Sequence, residues 1–549
     1  MKGFIAAKAQ RVGDFGVAIA FFALAAICTN ANAAQYVPDP TWIGGLIGAD
    51  NFASSFDIRR GQKVAQGDNG DVIVAGVVPA AGSAAGHMKI GLVHYNHAGV
   101  RQAWSNAGAN GYFGNQYVIA PCDSAGWCGD VKDVKSIYRF GNRVYVLADT
   151  ESFLIRPVGN PPVPQVYAAP AIEVYVFGID GSLQSVTTVD ADAYANDDSR
   201  TVYGGGIAVY SNLLLPETLT LVYAGTGIVD GVYRPRYARY KVESSGVLTS
   251  LTDVMEPAFG SVCSAGHYCQ LSGIATGGRA IGSSVPRIYI SGSSWHPGPD
   301  PGTIGWAAGW DAFAASVNAT GTPATSFATN GIYTTEGIGT QSGGQKVAVS
   351  GGFGASVNDD VFLLADVELA CRNGIAILKL AGDGTRANTF GSNGQVSYGG
   401  SNETNASACG QGWFFRTIRA DYPTDIVYSG GLLGVAGLNI YGSGTICIVG
   451  QPCPEDNVDG EVAVIDPNTG AINSWRGYAY ADTADGARSR HSGFWGISSA
   501  GDGTFTVGGD VRYFETAPAD RRGKQMFATL RVAPFSDSIF KNGFEPNAP

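Results

Sequence analysis

The chain has 549 residues, 45% hydrophobic and only 15% charged, so it is neither a solvated disordered chain nor a charged coiled coil. Its 78 glycines, about twice the average share, follow no three-residue period, which excludes collagen and points to turns; 25 Phe and 25 Tyr complete an aromatic-rich β composition. A net charge of −11 lacks the clustered basic footprint that a phosphate backbone demands, so nucleic acid is not an expected partner.

Residues 1–33 read as an export signal. Lys2, Lys8 and Arg11 form a basic start, Val17 to Ile27 is the apolar run, and Ala31-Asn32-Ala33 is a small-x-small cleavage site that would leave Ala34 as the mature start. The run is shorter than the ~20 residues of a spanning helix, and no later segment is apolar for that long, so no transmembrane segment is expected. Residues 34–534 then form the folded domain and 535–549 a C-terminal tail.

Across the domain one β pattern recurs seven times, at about 60 to 85 residues per unit. A short apolar strand comes first. The second strand is clearest in Asp71–Gly76, Arg143–Asp149, Leu219–Gly225, Arg287–Gly292, Asp360–Asp366, Thr445–Gly450 and Thr504–Gly509. Third strands start near Ile90, Ile172, Tyr237, Ala312, Ile375, Glu461 and Met526, and are closed by turns such as Asp180-Gly181, Ser245-Gly246, Thr320-Gly321, Asp383-Gly384 and Thr469-Gly470. An aromatic-Gly fourth strand follows at Trp104, Phe327, Phe390 and Trp475. The last unit lacks one, and Trp42-Ile-Gly-Gly-Leu at the mature N-terminus supplies the counterpart. This predicts an all-β, seven-bladed β-propeller of four-stranded blades, with the N-terminal strand completing the last blade and covering its open edge.

Cys28 leaves with the signal, and eight cysteines remain, an even number in an exported chain, which favours disulfides. Cys122/Cys128, Cys263/Cys269 and Cys447/Cys453 share one spacing and each would close a small Gly-containing loop; Cys371 and Cys409 are then left for each other. Many connectivities are open, and this one rests on proximity and repetition. The five-residue spacing does not suit zinc.

In a radial blade, the loops between second and third strands share a face with the loops between blades. The long segments Thr150–Ala171, Ser293–Gly305 and Val511–Gly523 read as loops of that face. Loops on a rigid scaffold carry binding residues, and aromatics there can stack on sugar rings or grip a protein; the candidates are Tyr167, Tyr233, Trp295, His296, Trp306, Tyr513 and Phe514, with Trp127, His267 and Tyr268 inside the small cysteine loops.

The units resemble the delta-60 type of β-propeller repeat of bacterial exported proteins, on segments such as Asn69–Gly76 and Leu380–Val396. The tail segment Ile539-Phe540-Lys541-Asn542-Gly543-Phe544-Glu545 resembles a C-terminal Ile-Phe-x-x-Gly-Phe-Glu motif of some bacterial exported proteins, which implies a sorting or anchoring role. These resemblances imply an architecture and a location and name no ligand.

Catalytic patterns are scarce. Six histidines occur without a Gly-x-Ser-x-Gly elbow, a His-Glu-x-x-His helix or a phosphate-binding Gly loop, and no cofactor or metal is assigned. The expectation is a secreted or cell-surface binding scaffold for a glycan or protein ligand. The alternative is a carbohydrate-active hydrolase or lyase, which would need two carboxylates converging in the central funnel; a funnel lined by small and aromatic groups would support binding.

Overall fold

The computed structural model describes residues 36–42, 48–50, 63–67, 69–79, 88–102, 130–158, 163–191, 201–212, 218–229, 231–263, 268–279, 283, 285–295, 310–335, 342–351, 359–369, 372–399, 419–441, 457–478, 491–512 and 525–534. The signal, the tail and every proposed cysteine pair except Cys263/Cys269 lie outside these residues.

Two short strands, β1 (Tyr36–Pro38) and β2 (Gly48–Asp50), open the described chain. Blade one is β3 (Lys63–Gln66), β4 (Val72–Pro79), β5 (Met88–Tyr95) and β6 (Arg101–Gln102). Blade two is β7 (Asp130–Phe140), β8 (Arg143–Val158), β9 (Val163–Gly178) and β10 (Leu183–Ala191); blade three is β11 (Thr201–Ser211), β12 (Leu219–Val229), β13 (Val232–Val242) and β14 (Leu248–Met255). Blade four comprises β15 (Tyr268–Thr276), β16 (Ile288–Trp295), β17 (Trp310–Val317) and β18 (Ile332–Thr334), and blade five β19 (Ser342–Val349), β20 (Val361–Leu369), β21 (Arg372–Leu380) and β22 (Gln395–Tyr398). Blade six holds β23 (Arg419–Ser429), β24 (Leu432–Tyr441), β25 (Asn457–Ile465) and β26 (Ile472–Tyr478); blade seven holds β27 (His491–Ser498), β28 (Phe505–Arg512) and β29 (Gln525–Pro534). Within each blade the strands pair antiparallel in chain order. The fold is the expected seven-bladed β-propeller. No helix among the described residues is long and apolar enough to cross a membrane.

The N-terminus closes the ring. β1 pairs with β29 from Tyr36↔Pro534 to Pro38↔Val532, and β2 pairs further along it from Gly48↔Thr529 to Asp50↔Phe527. The outer strand of blade seven is thus two pieces, with Trp42 between them and fully buried.

Seven apolar clusters hold the blades together, one at each interface between neighbours. Second strands explain their composition: in β4, Val72 and Val74 join the cluster with Trp42 and Phe527 of blade seven, while Ile73 and Ala75 join Val144 and Val146 of blade two. In β12, Leu221 and Tyr223 face blade two and Val222 and Ala224 face blade four. Both faces of each central strand are buried, so these strands read as unbroken apolar runs instead of alternating ones.

Three sequence expectations need correction. The second strand of blade six is Leu432–Tyr441, so Cys447 does not end it, and residues 445–450 lie outside the described chain. Gly434 and Gly437 break the apolar signal of β24, and they are required: a Cβ on Gly434 would stand 2.4 Å from the Phe505 ring. Thr150–Ala171 is no loop; β8 and β9 continue as a paired hairpin from Thr150↔Ala171 to Val158↔Val163. The aromatic-Gly motifs at Phe327 and Phe390 are the turns before the fourth strands. Both rings are fully buried, and Asn330 and Asn393 take positive φ ahead of Gly331 and Gly394. Trp475, by contrast, lies within β26.

Candidate functional site

Two features of the ring carry chemistry. The first is aromatic. Tyr233 begins the third strand of blade three, Tyr268 the inner strand of blade four, and Trp295 ends the second strand of blade four, which brings all three to the face of the interblade and second-to-third loops. Tyr268 meets Tyr233 edge-on at 5.3 Å and Trp295 at 5.1 Å between ring centroids. Tyr268 is the exposed member, and the other two are half-buried. Cys269 follows it in the chain, buried and bonded to Cys263 with a Cα–Cα distance of 5.1 Å, which fixes the start of β15.

Of the seven aromatic candidates, the structure brings Tyr233 and Trp295 together through Tyr268. Tyr167 lies in β9, opposite Leu154 in the register. His296, Trp306, Tyr513 and Phe514 lie outside the described residues, as do Trp127, His267, Cys122, Cys128, Cys371, Cys409, Cys447 and Cys453.

The second feature lies on the axis. In six blades the inner strand slips register by one residue against the second strand, at Lys135, Gly205, Ser272, Gln345, Thr424 and Trp495. A bulge leaves its extra residue out of the ladder, freeing backbone groups to turn toward the centre. Long side chains use those groups. Lys346 donates to the Gly205 and Ser272 carbonyls at 3.0 and 2.5 Å, and Lys63 donates to the Trp495 carbonyl.

These residues enclose a cavity of about 350 Å³ to which all seven inner strands contribute. Lys63, Lys135, Lys346 and Arg139 line it against a single lining carboxylate, Asp425, among the described residues. Arg139 is committed to Asp71 at 2.5 Å, and Lys135 to Asp133 at 2.8 Å and Asp149 at 3.4 Å. Asp425 accepts the Ile426 and Ile497 backbone N–H groups at 3.0 and 3.3 Å. Burial, aided by the Lys63 cation, pushes the Lys346 ammonium down to about 7, and burial likewise lowers Lys63. Burial also pushes Asp149 up to about 6, against the opposing pull of Lys135 and the Gly204 N–H at 2.8 Å.

The axis departs from a funnel lined by small and aromatic groups: its lining is lysine-rich, Asp425 is its one lining carboxylate among the described residues, and Asp133 and Asp149 converge on the lining Lys135. Sequence reasoning missed the lysines because a Lys in a short strand reads as a solvated face. A signal was present. Gly61–Ala65 and Gly344–Ala348 both read Gly-Gln-Lys-Val-Ala, and Lys63 and Lys346 hold the same register, each opposite the fourth residue of its second strand, Ala75 and Leu364.

Outside the ring centre, His94 Nε2 lies 3.0 Å from Asp71 Oδ2, and Arg531 donates to the His97 carbonyl at 2.6 Å. Among the described residues, no group of three His, Cys, Asp or Glu side chains is placed to hold a metal.

Fold and site define the class: a β-propeller with a lysine-lined axis and an aromatic cluster at one rim. No family model matches the chain, and no curated protein matches it. Among solved structures, it is similar to the α-L-arabinofuranosidase Arb93A from Fusarium graminearum, at 8% identity and TM-score 0.36, over 91% of this chain and 98% of that one. It is also similar to Drosophila semaphorin 1b, extracellular domains 1–2, at 10% identity and TM-score 0.25, over 73% of this chain and 86% of that one. A variant of Bacillus megaterium levansucrase matches at 8% identity and TM-score 0.25, over 82% of this chain and 92% of that one.

Proposed function

We propose that this chain is an exported binding protein that engages a carbohydrate through the Tyr233–Tyr268–Trp295 cluster at the rim of blades three and four. The observation that carries the reading is that trio: an exposed phenol braced by two further rings and tied to a disulfide presents a fixed apolar face with polar tips, as sugar-ring stacking requires. Rigidity matters because ordering a loose aromatic on binding would consume part of the affinity. A hydrolase or lyase would need two carboxylates about 5 to 10 Å apart at the reacting bond. The carboxylates that converge near the axis, Asp133 and Asp149, are both taken up by Lys135, and Asp425 accepts two backbone N–H groups, which favours binding over catalysis there.

Export rests on residues 1–33 and is supported by the Cys263–Cys269 disulfide. The delta-60-type repeat and the sorting role of residues 535–549 belong to the same reading. Glycan-array binding by the secreted protein tests it: binding is expected and should be lost in Tyr268→Ala and Trp295→Ala. A glycan-negative array overturns the carbohydrate assignment and leaves a protein ligand as the binding mode of the face. N-terminal sequencing of exported protein should start at Ala34.

A further inference from the structure

We propose that the centre of the ring is a binding site for a small oxyanion, held between the ammonium groups of Lys63 and Lys346 in the cavity that Gln66 also lines. This site is separate from the aromatic rim and stands whatever the glycan array shows.

Three observations point to a negatively charged occupant. The first is charge without a direct ion-pair partner. Lys63 and Lys346 are bonded to neutral carbonyls, and among the described residues no carboxylate lies within salt-bridge distance of either. Lys135 and Arg139 have carboxylate partners, whereas Lys63 and Lys346 feel Asp425 and Asp133 only from beyond salt-bridge distance, so a directly bonded counter-charge is the contact this pair lacks. Lys346 commits two of its donors and Lys63 one, which leaves N–H groups on both for a ligand.

The second observation is Gln66. Its side chain is 9% exposed and lines the cavity, yet neither its carboxamide nitrogen nor its oxygen has a hydrogen-bond partner in the protein. A buried amide is normally satisfied, so an unpartnered one on the same lining as the two lysines marks polar capacity that the chain leaves unmet.

The third is that the arrangement is built twice from the same words. Gly-Gln-Lys-Val-Ala places one lysine in blade one and one in blade five at matching register, so the pair approaches the axis from well-separated blades. Elsewhere on the ring, glycine holds the residue after the register slip, at Gly206 and Gly273, where an added Cβ would stand 3.2 Å from Ile274 and 2.6 Å from the Ser291 hydroxyl, so the inner strands can approach one another closely. A volume of about 350 Å³ accommodates a phosphate or a small organic carboxylate, within the range of small-ligand sites. The charged groups around the Lys346 ammonium are Lys63 of β3, Lys135 and Asp133 of β7, and Asp425 of β23.

Isothermal titration of the full chain with inorganic phosphate, and separately with succinate, reads the site; glucose is the neutral control. Saturable binding of at least one anion and none of glucose is expected, with affinity falling about tenfold or more in Lys63→Met and Lys346→Met. The responding anion distinguishes phosphate from carboxylate chemistry. No saturable binding of either anion, equal binding of glucose, or parental affinity in both variants overturns the proposal. Should the variants misfold by circular dichroism, the parent protein decides: its affinity for succinate, or for sulfate in place of phosphate so that the ligand's own charge stays fixed, must fall between about pH 7 and about pH 9 as Lys346 loses its proton, and a flat profile overturns the site.

Discussion

The Arg531 guanidinium lies 4.2 Å from the centroid of the Trp42 ring, joining the third strand of blade seven to the segment that precedes blade one. The same guanidinium donates to the His97 and Gly70 carbonyls of blade one at 2.6 Å each, so one side chain ties both ends of the chain into the seventh interface. Trp42 fills the middle of that interface against Tyr95 and Phe527. Trp42→Ala should cost about 3–5 kcal/mol, the range for emptying a buried aromatic site, with urea unfolding as the measurement. An unchanged midpoint would mean that the ring is closed by the β1 and β2 backbone pairing alone.

The Cys263–Cys269 bond should matter to the aromatic rim as well as to stability. Closing so short a loop removes about 2 kcal/mol of unfolded-state freedom on a chain-entropy model. A Cys263→Ser/Cys269→Ser double variant should lose roughly that in chemical denaturation. It should also weaken glycan binding, because Tyr268 adjoins Cys269 and loses its fixed position. If glycan affinity held while stability fell, bracing of Tyr268 would play no part in recognition.

Blade spacing near the axis depends on glycine at Gly344. A Cβ there would stand 2.1 Å from the Gly292 carbonyl oxygen of blade four, and a backbone atom cannot swing aside. Gly344→Ala should cost at least about 1–3 kcal/mol, the usual range for overpacking, and should disturb the cavity, since the Ser272 hydroxyl also donates to the Gly344 carbonyl at 2.6 Å. Gly477→Ala is the control, because its added carbon meets nothing closer than 3.9 Å. Thermal melts of the two variants side by side decide the matter.

What the sequence disclosed followed from burial on two faces. Second strands such as Val72–Pro79 and Val361–Leu369 stand between two neighbouring blades, and their apolar runs could be counted directly. Trp42 was legible because the last unit lacked an outer strand. The sixth second strand was hidden because Gly434 makes room for Phe505, a contact from another blade that no local window contains. The axial site was hidden for a related reason: register slips at Gly205, Ser272 and Trp495 create acceptors only when the inner strands face one another, so Lys63 and Lys346 carried no local mark beyond their shared pentapeptide.

Asp149 and Lys346, two of the shifted groups near the axis, give stability a pH signature of definite sign. Asp149 has its folded value raised to about 6 from 3.8, so between those limits the folded protein keeps a proton that the unfolded chain has released, and stability falls as pH rises through that window. Lys346 has its folded value lowered to about 7 from 10.5; above about pH 7 the unfolded chain keeps the proton that the folded protein has shed, and stability climbs toward 10.5. Lys63, Lys135, Asp133 and Asp425 surround that ammonium and set the size of the second slope. Their combined effect is a stability trough between about pH 6 and about pH 7, read as the melting temperature across the range in low-phosphate buffer. Asp149→Asn should shrink the acid limb and Lys346→Met the alkaline limb, where the lowered Lys63 supplies a residual slope of the same sign. A bound anion should fill the trough from its alkaline side, because it holds the Lys346 proton in place. A parent profile without the trough would show that water in the cavity solvates both groups well enough to return them to ordinary values.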